Sequence, residues 1–150
     1  MAQSSNKEKP LRVLIDLNVL ADVIRKRSPH YITSSELISK VLLRKITGVL
    51  AGFAPVSIYD LVKDSSDSQQ ANDIVDWLLA NFEIAPLEKD VYIDARCSGL
   101  ISLEDGVVIF SAERAKCDFI VSRNIENYIN SPVPVISPEE MLYKLSTGND

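Results

Sequence analysis

Polar side chains with oxygen donors stand at several points where this 150-residue sequence changes from an apolar run to a helical pattern. Asp16 and Asn18 follow one such run, and Asn124 follows another. Three acids stand near the starts of other predicted helices: Asp60, Glu104 and Asp105. Carboxylate and amide oxygens together select hard divalent cations such as Mg²⁺ and Mn²⁺. Because such an ion can activate water and stabilise charge on a phosphate, we predict a metal-assisted reaction at a phosphate group.

Each of these residues also has a structural interpretation that the sequence leaves open. Asp16 and Asn18 could only cap the helix that follows them. Residues 102–105 could be a helix start whose two acids favour the helix dipole. Asp60 could face water, and Asn124 is of a type common in turns. The predicted site therefore depends on these residues meeting at one edge of a sheet.

Other catalytic machinery has little support in the sequence. His30 is the single histidine, and it follows a Ser-Pro break where we expect a surface position. A single histidine gives little support for a zinc cluster or for a Ser–His–Asp triad. The sequence also has no glycine-rich phosphate loop. The sequence has two cysteines, and its hydrophobic residues make up 46%. Two cysteines are too few for a secreted disulfide scaffold, and this favours a reducing, cytoplasmic setting.

Apolar strand-like runs alternate with helical patterns along the chain. The predicted strands are residues 11–15, 49–54, 82–85, 118–122 and 133–136. The predicted helices begin near Asp16, Thr33–Ser35, Pro55, Ala71, Glu88, Ser102 and Ser137. This alternation predicts an α/β fold, a three-layer α/β/α sandwich with a mostly parallel sheet of about five strands. Ligands bind such sheets at the carboxyl ends of the strands, where the strand order reverses.

Length and composition predict one domain over residues 11–147, with disordered segments at 1–10 and 148–150. No apolar run is long enough to span a membrane, so we expect no membrane association. The net charge is −5, but residues 1–75 carry a balance of +2 and residues 76–150 a balance of −7. A polyanion would have to bind locally, unless the basic residues only form a solvated surface: Arg25, Lys26, Arg27, Lys40, Arg44 and Lys45.

Four segments, taken in order, resemble the PIN-domain family: Val13–Leu20, Ser102–Gly106, Asp118–Asn124 and Val133–Glu140. The likeness runs from Leu11 to about Leu145 and implies an α/β/α sandwich. Many PIN domains are Mg²⁺- or Mn²⁺-dependent ribonucleases, including VapC-type toxins of bacterial toxin–antitoxin pairs. The resemblance therefore implies RNA as the substrate, a cognate antitoxin as a candidate partner and a homodimer. The dimer contact would involve the helix around Trp77 or the one at Leu37–Ile46.

Carried over residue by residue, the resemblance implies a set of metal ligands: Asp16, Asp60, Glu104, Asp105 and Asn124. Within this set it implies four catalytic residues: Asp16, Asp60, Asp105 and Asn124. It also implies three residues at the substrate: Asn18, Ser122 and Arg123. Of these, Arg123 would hold the scissile phosphate, unless it forms a salt bridge within the protein instead.

The sequence also departs from the family pattern. Ser102 stands where an acid is common, Leu17 where Thr is usual, and Gly106 where Ala is usual. Asn124 replaces the fourth acid, and an amide contributes less than a carboxylate to holding a dication. The alternative function is a catalytically weak or inactive PIN-fold module that binds nucleic acid or protein. A phosphatase of the haloacid dehalogenase type is a weaker alternative, because that family needs a second Asp where Asn18 stands.

Overall fold

Five parallel strands form the centre of the protein, in a computed structural model that describes residues 9–99 and 102–148. They are β1 (Leu11–Ile15), β2 (Ile46–Leu50), β3 (Glu83–Ile84), β4 (Phe119–Val121) and β5 (Val135–Ile136). Their order is β3-β2-β1-β4-β5, and every pairing is parallel. The chain reaches the β3 edge and then returns to place β4 beside β1. The strand order therefore reverses between β1 and β4.

Seven α-helices flank the sheet within the same described ranges. They are α1 (Leu17–Ile24), α2 (Tyr31–Leu42), α3 (Ala54–Ser65), α4 (Ser68–Asn81), α5 (Lys89–Cys97), α6 (Leu103–Arg114) and α7 (Pro138–Thr147). A 3₁₀ helix, Ile125–Tyr128, follows β4. None of the described helices has the length and hydrophobicity needed to cross a membrane. The disorder predicted for residues 1–10 and 148–150 falls mainly outside the described residues.

Each face of the sheet has its own hydrophobic core, because successive strand residues point to opposite sides. Val13 and Ile15 of β1 pack among residues of α1, α2, α3, α4 and α7. Leu14 packs on the other face, with Ile120 of β4 and residues of α6. Burial on both faces explains why the central strands are unbroken apolar runs. The α/β/α sandwich on a parallel sheet is confirmed.

The predicted boundaries of α2 are wrong at both ends. The helix begins at Tyr31 and not near Thr33–Ser35, because Ser34 is buried and its hydroxyl donates to Asp22 at 3.3 Å rather than capping a helix. At the other end, Ile46 opens β2 instead of continuing the apolar face of the helix. Long-range packing, and not the local pattern, fixes both ends.

The helix predicted to begin near Ala71 begins earlier, and the connection before it is short. The helix α3 continues to Ser65, and α4 already begins at Ser68. Between them, Asp67 caps α4, since its side chain accepts a hydrogen bond from the backbone N–H of Gln70 at 2.8 Å. A polar sequence alone therefore does not mark a long loop here.

Candidate functional site

A cleft of about 330 Å³ lies at the carboxyl ends of β1 and β4, where the strand order reverses. Its walls come from the starts of α1 and α6, from α3, and from the 3₁₀ helix after β4. Five of the side chains that the sequence singled out line this cleft: Asp16, Asn18, Glu104, Asp105 and Asn124. The structure thus brings together residues that are more than one hundred positions apart in the chain.

Asp16 is the most enclosed carboxylate of the cleft, with 8% of its surface exposed. It caps α1, where its Oδ1 accepts a hydrogen bond from the backbone N–H of Leu17 at 2.7 Å. Its Oδ2 accepts hydrogen bonds from the hydroxyls of Ser122 at 2.6 Å and Tyr128 at 2.9 Å. The capping role and the cleft position therefore both apply to Asp16, and three donors hold its carboxylate in one orientation.

Ser122 lies beneath the cleft and not on its surface. The side chain is fully buried at the end of β4, and besides donating to Asp16 it accepts a hydrogen bond from the backbone N–H of Asn124 at 3.0 Å. This arrangement suits the orientation of Asp16 and of the following turn, rather than the contact with substrate that the resemblance implies. Asn124 itself is exposed and lines the cleft.

Glu104 and Asp105 enter the cleft from the first turn of α6. Ser102 caps this helix, accepting a hydrogen bond from the backbone N–H of Asp105 at 3.2 Å. Burial raises the pKa of both carboxyls, and the negative charge of Asp16 raises it further. Repulsion from Asp105 adds to the rise in the pKa of Glu104. The site therefore holds carboxylates that disfavour one another's ionised forms.

Asn18 contributes an acceptor that lacks a partner. Its Oδ1 is buried and receives no hydrogen bond within the described residues. Buried polar atoms are almost always paired, so an orphaned oxygen in a cleft marks a position that a donor or a cation would satisfy. The neighbouring side chain of Asp16 puts a charged oxygen at the same cleft.

Arg123 does not line the cleft. Its guanidinium forms a bidentate ion pair with the fully buried Asp22, at 2.6 Å from Nε to Oδ2 and 3.2 Å from Nη2 to Oδ1. The basic side chain in the cleft lining is Arg27, which is exposed and has no ion pair within residues 9–99 and 102–148. The structure thus supports the salt-bridge interpretation of Arg123 and places another arginine where a phosphate could bind.

Asp60 is exposed on α3 and is not part of the cleft lining. The cleft side of this helix carries Ser57 and Leu61, which lie four residues apart and so share a face. Asp60 is displaced from that face by the 3.6-residue period. The sequence predicts the helix that contains Asp60, but it does not predict the rotation of that helix about its axis.

Tyr128 is a residue of the cleft that the sequence analysis missed. It ends the 3₁₀ helix, is 4% exposed, and its hydroxyl donates to Asp16. Burial and the nearby carboxylates, Asp16 first among them, raise the pKa of this phenol, so it stays a neutral donor. The one signal in the sequence was a large aromatic residue within the polar segment that follows β4.

The family model for the PIN domain matches residues 12–126. The chain belongs to the PIN-domain family. A toxin–antitoxin complex from Klebsiella pneumoniae contains a similar chain, with a TM-score of 0.65 and 16% identity over 84% of this chain and 97% of that one. VapBC2 from Rickettsia felis, bound to a DNA fragment from its promoter, gives a TM-score of 0.61 and 16% identity over 85% and 98%.

A third solved structure, PAE2754 from Pyrobaculum aerophilum, is similar to this PIN domain over 98% of the present chain and 99% of its own. Its TM-score is 0.57 and its identity 15%. A comparison with curated proteins found no match. At these identities the solved structures establish the shared PIN fold.

The residues of this PIN domain fit an open metal site better than a closed one. Within the described ranges, no group of three or more His, Cys, Asp or Glu side chains is arranged to hold one ion. Mg²⁺, however, usually keeps several water ligands and takes one or two carboxylates from a protein. The carboxylates of Asp16 and Asp105, with the orphaned oxygen of Asn18, suit that open coordination. Mn²⁺ accepts the same oxygen donors.

Proposed function

We propose that this PIN domain is an endoribonuclease that hydrolyses RNA phosphodiester bonds with Mg²⁺ or Mn²⁺ held at Asp16 and Asp105. The observation that carries the proposal is the pairing, in one cleft, of mutually repelling carboxylates with the amide oxygen of Asn18, which has no hydrogen-bond partner among the described residues. No ion pair in residues 9–99 and 102–148 neutralises these carboxylates. A divalent cation is the group that would satisfy the acids and the amide together.

The side chains of the cleft divide the work of binding and orientation. When bound, the ion would supply a Lewis acid that activates water and stabilises the developing charge of the phosphate. Asp16 and Asp105 would provide its carboxylate ligands, while Glu104 adds negative charge at the rim. Asn124 would orient the attacking water through its amide. Arg27 would hold the phosphate by charge-assisted hydrogen bonds.

The proposal extends to a partner and a location. The fold likeness to chains of toxin–antitoxin complexes supports a cognate antitoxin as the partner and a cytoplasmic toxin as the biological form. The homodimer implied by the resemblance would have to use side chains that the core leaves free. Leu37 is fully buried, whereas Leu43 is 65% exposed and Leu79 on the Trp77 helix is 55% exposed.

A second candidate is a PIN-fold module that binds RNA or protein without cleaving it. Its specific support is that hydroxyls of the protein already occupy Oδ2 of Asp16. The position of Asp60 outside the cleft also leaves the site with fewer acids than the resemblance implies. Metal-dependent cleavage separates the two candidates.

The test is incubation of the purified full chain with single-stranded and structured RNA in Mg²⁺, in Mn²⁺, and in a chelator. We expect cleavage that needs the metal and that falls at least about a hundredfold in Asp105→Asn, in line with the loss of a group that stabilises the transition state. Asp76→Asn, an exposed position on α4, is the matched control and should cleave like the wild type. RNA binding without cleavage in every metal would favour the second candidate instead.

A further inference from the structure

Tyr128 places a hydroxyl against the Asp16 carboxylate in the cleft. The hydroxyl donates to Oδ2 of Asp16 at 2.9 Å, and the negative charge of Asp105 is close enough to contribute to the raised pKa of the phenol. The ring is held in the core that covers one face of the sheet, beside Leu14 and Ile120. With 4% of its surface exposed, the side chain cannot leave the site without moving the 3₁₀ helix.

The hydrogen bonds of Asp16 leave little room for another ligand. A carboxylate offers about four lone-pair positions. Three are taken, one by the backbone N–H of Leu17 and two by the hydroxyls of Ser122 and Tyr128. Both hydroxyls act on Oδ2, so a cation at that oxygen has to share it with two protons or displace one of them.

We infer that the Tyr128 hydroxyl competes with the divalent ion for Asp16, and that its hydrogen bond to Asp16 offsets part of the repulsion from Asp105 when no ion is bound. The inference rests on the proposed function insofar as that function puts a metal at these two acids. A phenol proton donated to Asp16 offsets part of the repulsion between Asp16 and Asp105, and a cation would offset more of it. Tyr128 thus keeps the metal-free fold intact and sets a low metal affinity, whereas a phenylalanine would keep the same ring packing without the competing donor.

The Tyr128→Phe variant removes the hydroxyl and keeps the ring, so it separates the effect of the hydrogen bond from that of packing. In direct titration calorimetry, we expect this variant to bind Mn²⁺ more tightly than the wild type, by roughly tenfold to hundredfold, the range for one hydrogen bond to a charged group. The metal-free variant should melt at a lower temperature, and the rise in melting temperature on adding Mn²⁺ should be larger. Tyr143→Phe is the matched control, because Tyr143 is 69% exposed on α7 and lies outside the cleft lining.

The contribution of Asp105 has its own test. In an Asp105→Asn background, Tyr128→Phe should change Mn²⁺ affinity by much less than it does in the wild type, since Asp16 then no longer faces a second negative charge. Equal or weaker Mn²⁺ binding by Tyr128→Phe would overturn the inference, whatever the RNA assay shows. Tighter binding by Tyr128→Phe without cleavage of RNA would instead leave this inference standing and remove the proposed hydrolysis.

Discussion

The carboxylate of Asp22 lies inside the protein, where it forms an ion pair with an arginine from a distant part of the chain. The carboxylate is fully buried on α1, and Arg123 reaches it from the segment after β4, while Ser34 adds a hydrogen bond from α2. Removing one member of a buried pair leaves the other charge uncompensated. We therefore expect Arg123→Ala to lower the free energy of unfolding by about 3–5 kcal/mol, measured by urea denaturation.

Arg27 provides the matched arginine for this experiment. Because it is exposed and has no ion pair within the described residues, Arg27→Ala should change the free energy of unfolding by less than about 0.5 kcal/mol. It should instead raise KM for RNA. If Arg123→Ala were as stable as the wild type and lost RNA affinity, the role of binding phosphate would belong to Arg123 after all.

The raised carboxyl pKa values give the stability a pH dependence of known sign. Burial first, and then the charge of Asp16, raise the pKa of Glu104 and Asp105 in the folded state. The folded protein therefore binds these protons more tightly than the unfolded chain does. The stabilisation from protonation is fully present below the ordinary carboxyl pKa and is lost as the pH rises through the raised folded values.

Asp105→Asn removes one of these groups and tests the sign. We expect the variant to be more stable than the wild type at neutral pH in the absence of metal. Its melting temperature should also fall less than that of the wild type as the pH rises from about 4 to about 7, where ordinary carboxyls have ionised. Asp76→Asn on exposed α4 is the control. Identical pH profiles for all three proteins would show that the cleft acids do not repel one another.

Among the secondary-structure elements, helix starts were predicted best where the capping residues all lie within one helical turn. Ser137 caps α7, and the capping box with Glu140 forms as its sequence indicates, with hydrogen bonds of 3.1 and 3.3 Å. Ser102 likewise caps α6. The start of α2 could not be predicted, because the burial of Ser34 against Asp22 depends on another helix. The 3₁₀ helix after β4 has no comparable local signal.

Gly106 shows how a departure from the family pattern follows from helix packing. It lies in α6 where α5 passes closely, and a Cβ at this position would lie 2.9 Å from the Cβ and 3.1 Å from the Cα of Ala95. The usual alanine would gain about 1 kcal/mol in helix propensity. Overpacking costs about 1–3 kcal/mol, and here the obstacle includes backbone. We expect Gly106→Ala to lower the free energy of unfolding by about 1 kcal/mol, measured in urea.

The contact between Gly106 and Ala95 also provides a control for this prediction. Ala95→Gly removes the opposing Cβ, so Gly106→Ala should cost less in that background than in the wild type. The reading of Gly106 as a close-packing residue would be wrong if the cost were the same in both backgrounds, or if Gly106→Ala alone were stabilising.

For the molecule as a whole, topology predicted the site better than individual residues did. The rule for parallel sheets pointed to residues at the carboxyl ends of the strands and gave the acids that follow β1 and open α6, while the strand order that puts the cleft between β1 and β4 comes from the structure. It could not give the rotation of α3, which leaves Asp60 outside, nor the pairing of Arg123 with Asp22. Both depend on contacts between segments far apart in the chain, which periodicity does not encode.

Under the proposed function, the charge distribution over the folded chain limits how RNA would bind. The net charge is −5, and the cleft carries acids with Arg27 as the basic residue of its lining. RNA affinity should therefore fall only gently with salt. Because each phosphate contact to a single strand contributes about 0.7 to the slope of log K against log salt, Arg27→Ala should reduce that slope by about 0.7.

Arg44 is the matched control for the salt experiment. It belongs to the same basic stretch but precedes β2, at the end of the sheet opposite the cleft, where its guanidinium donates to the backbone oxygen of Asn81 at 3.5 Å. Arg44→Ala should leave the salt slope unchanged in binding titrations with a short single-stranded RNA. Equal losses of slope in the two variants would mean that RNA contacts the basic stretch broadly. An effect confined to Arg27 would place the RNA backbone at the cleft, because the cleft lining holds Arg27 together with Asp16, Glu104 and Asp105.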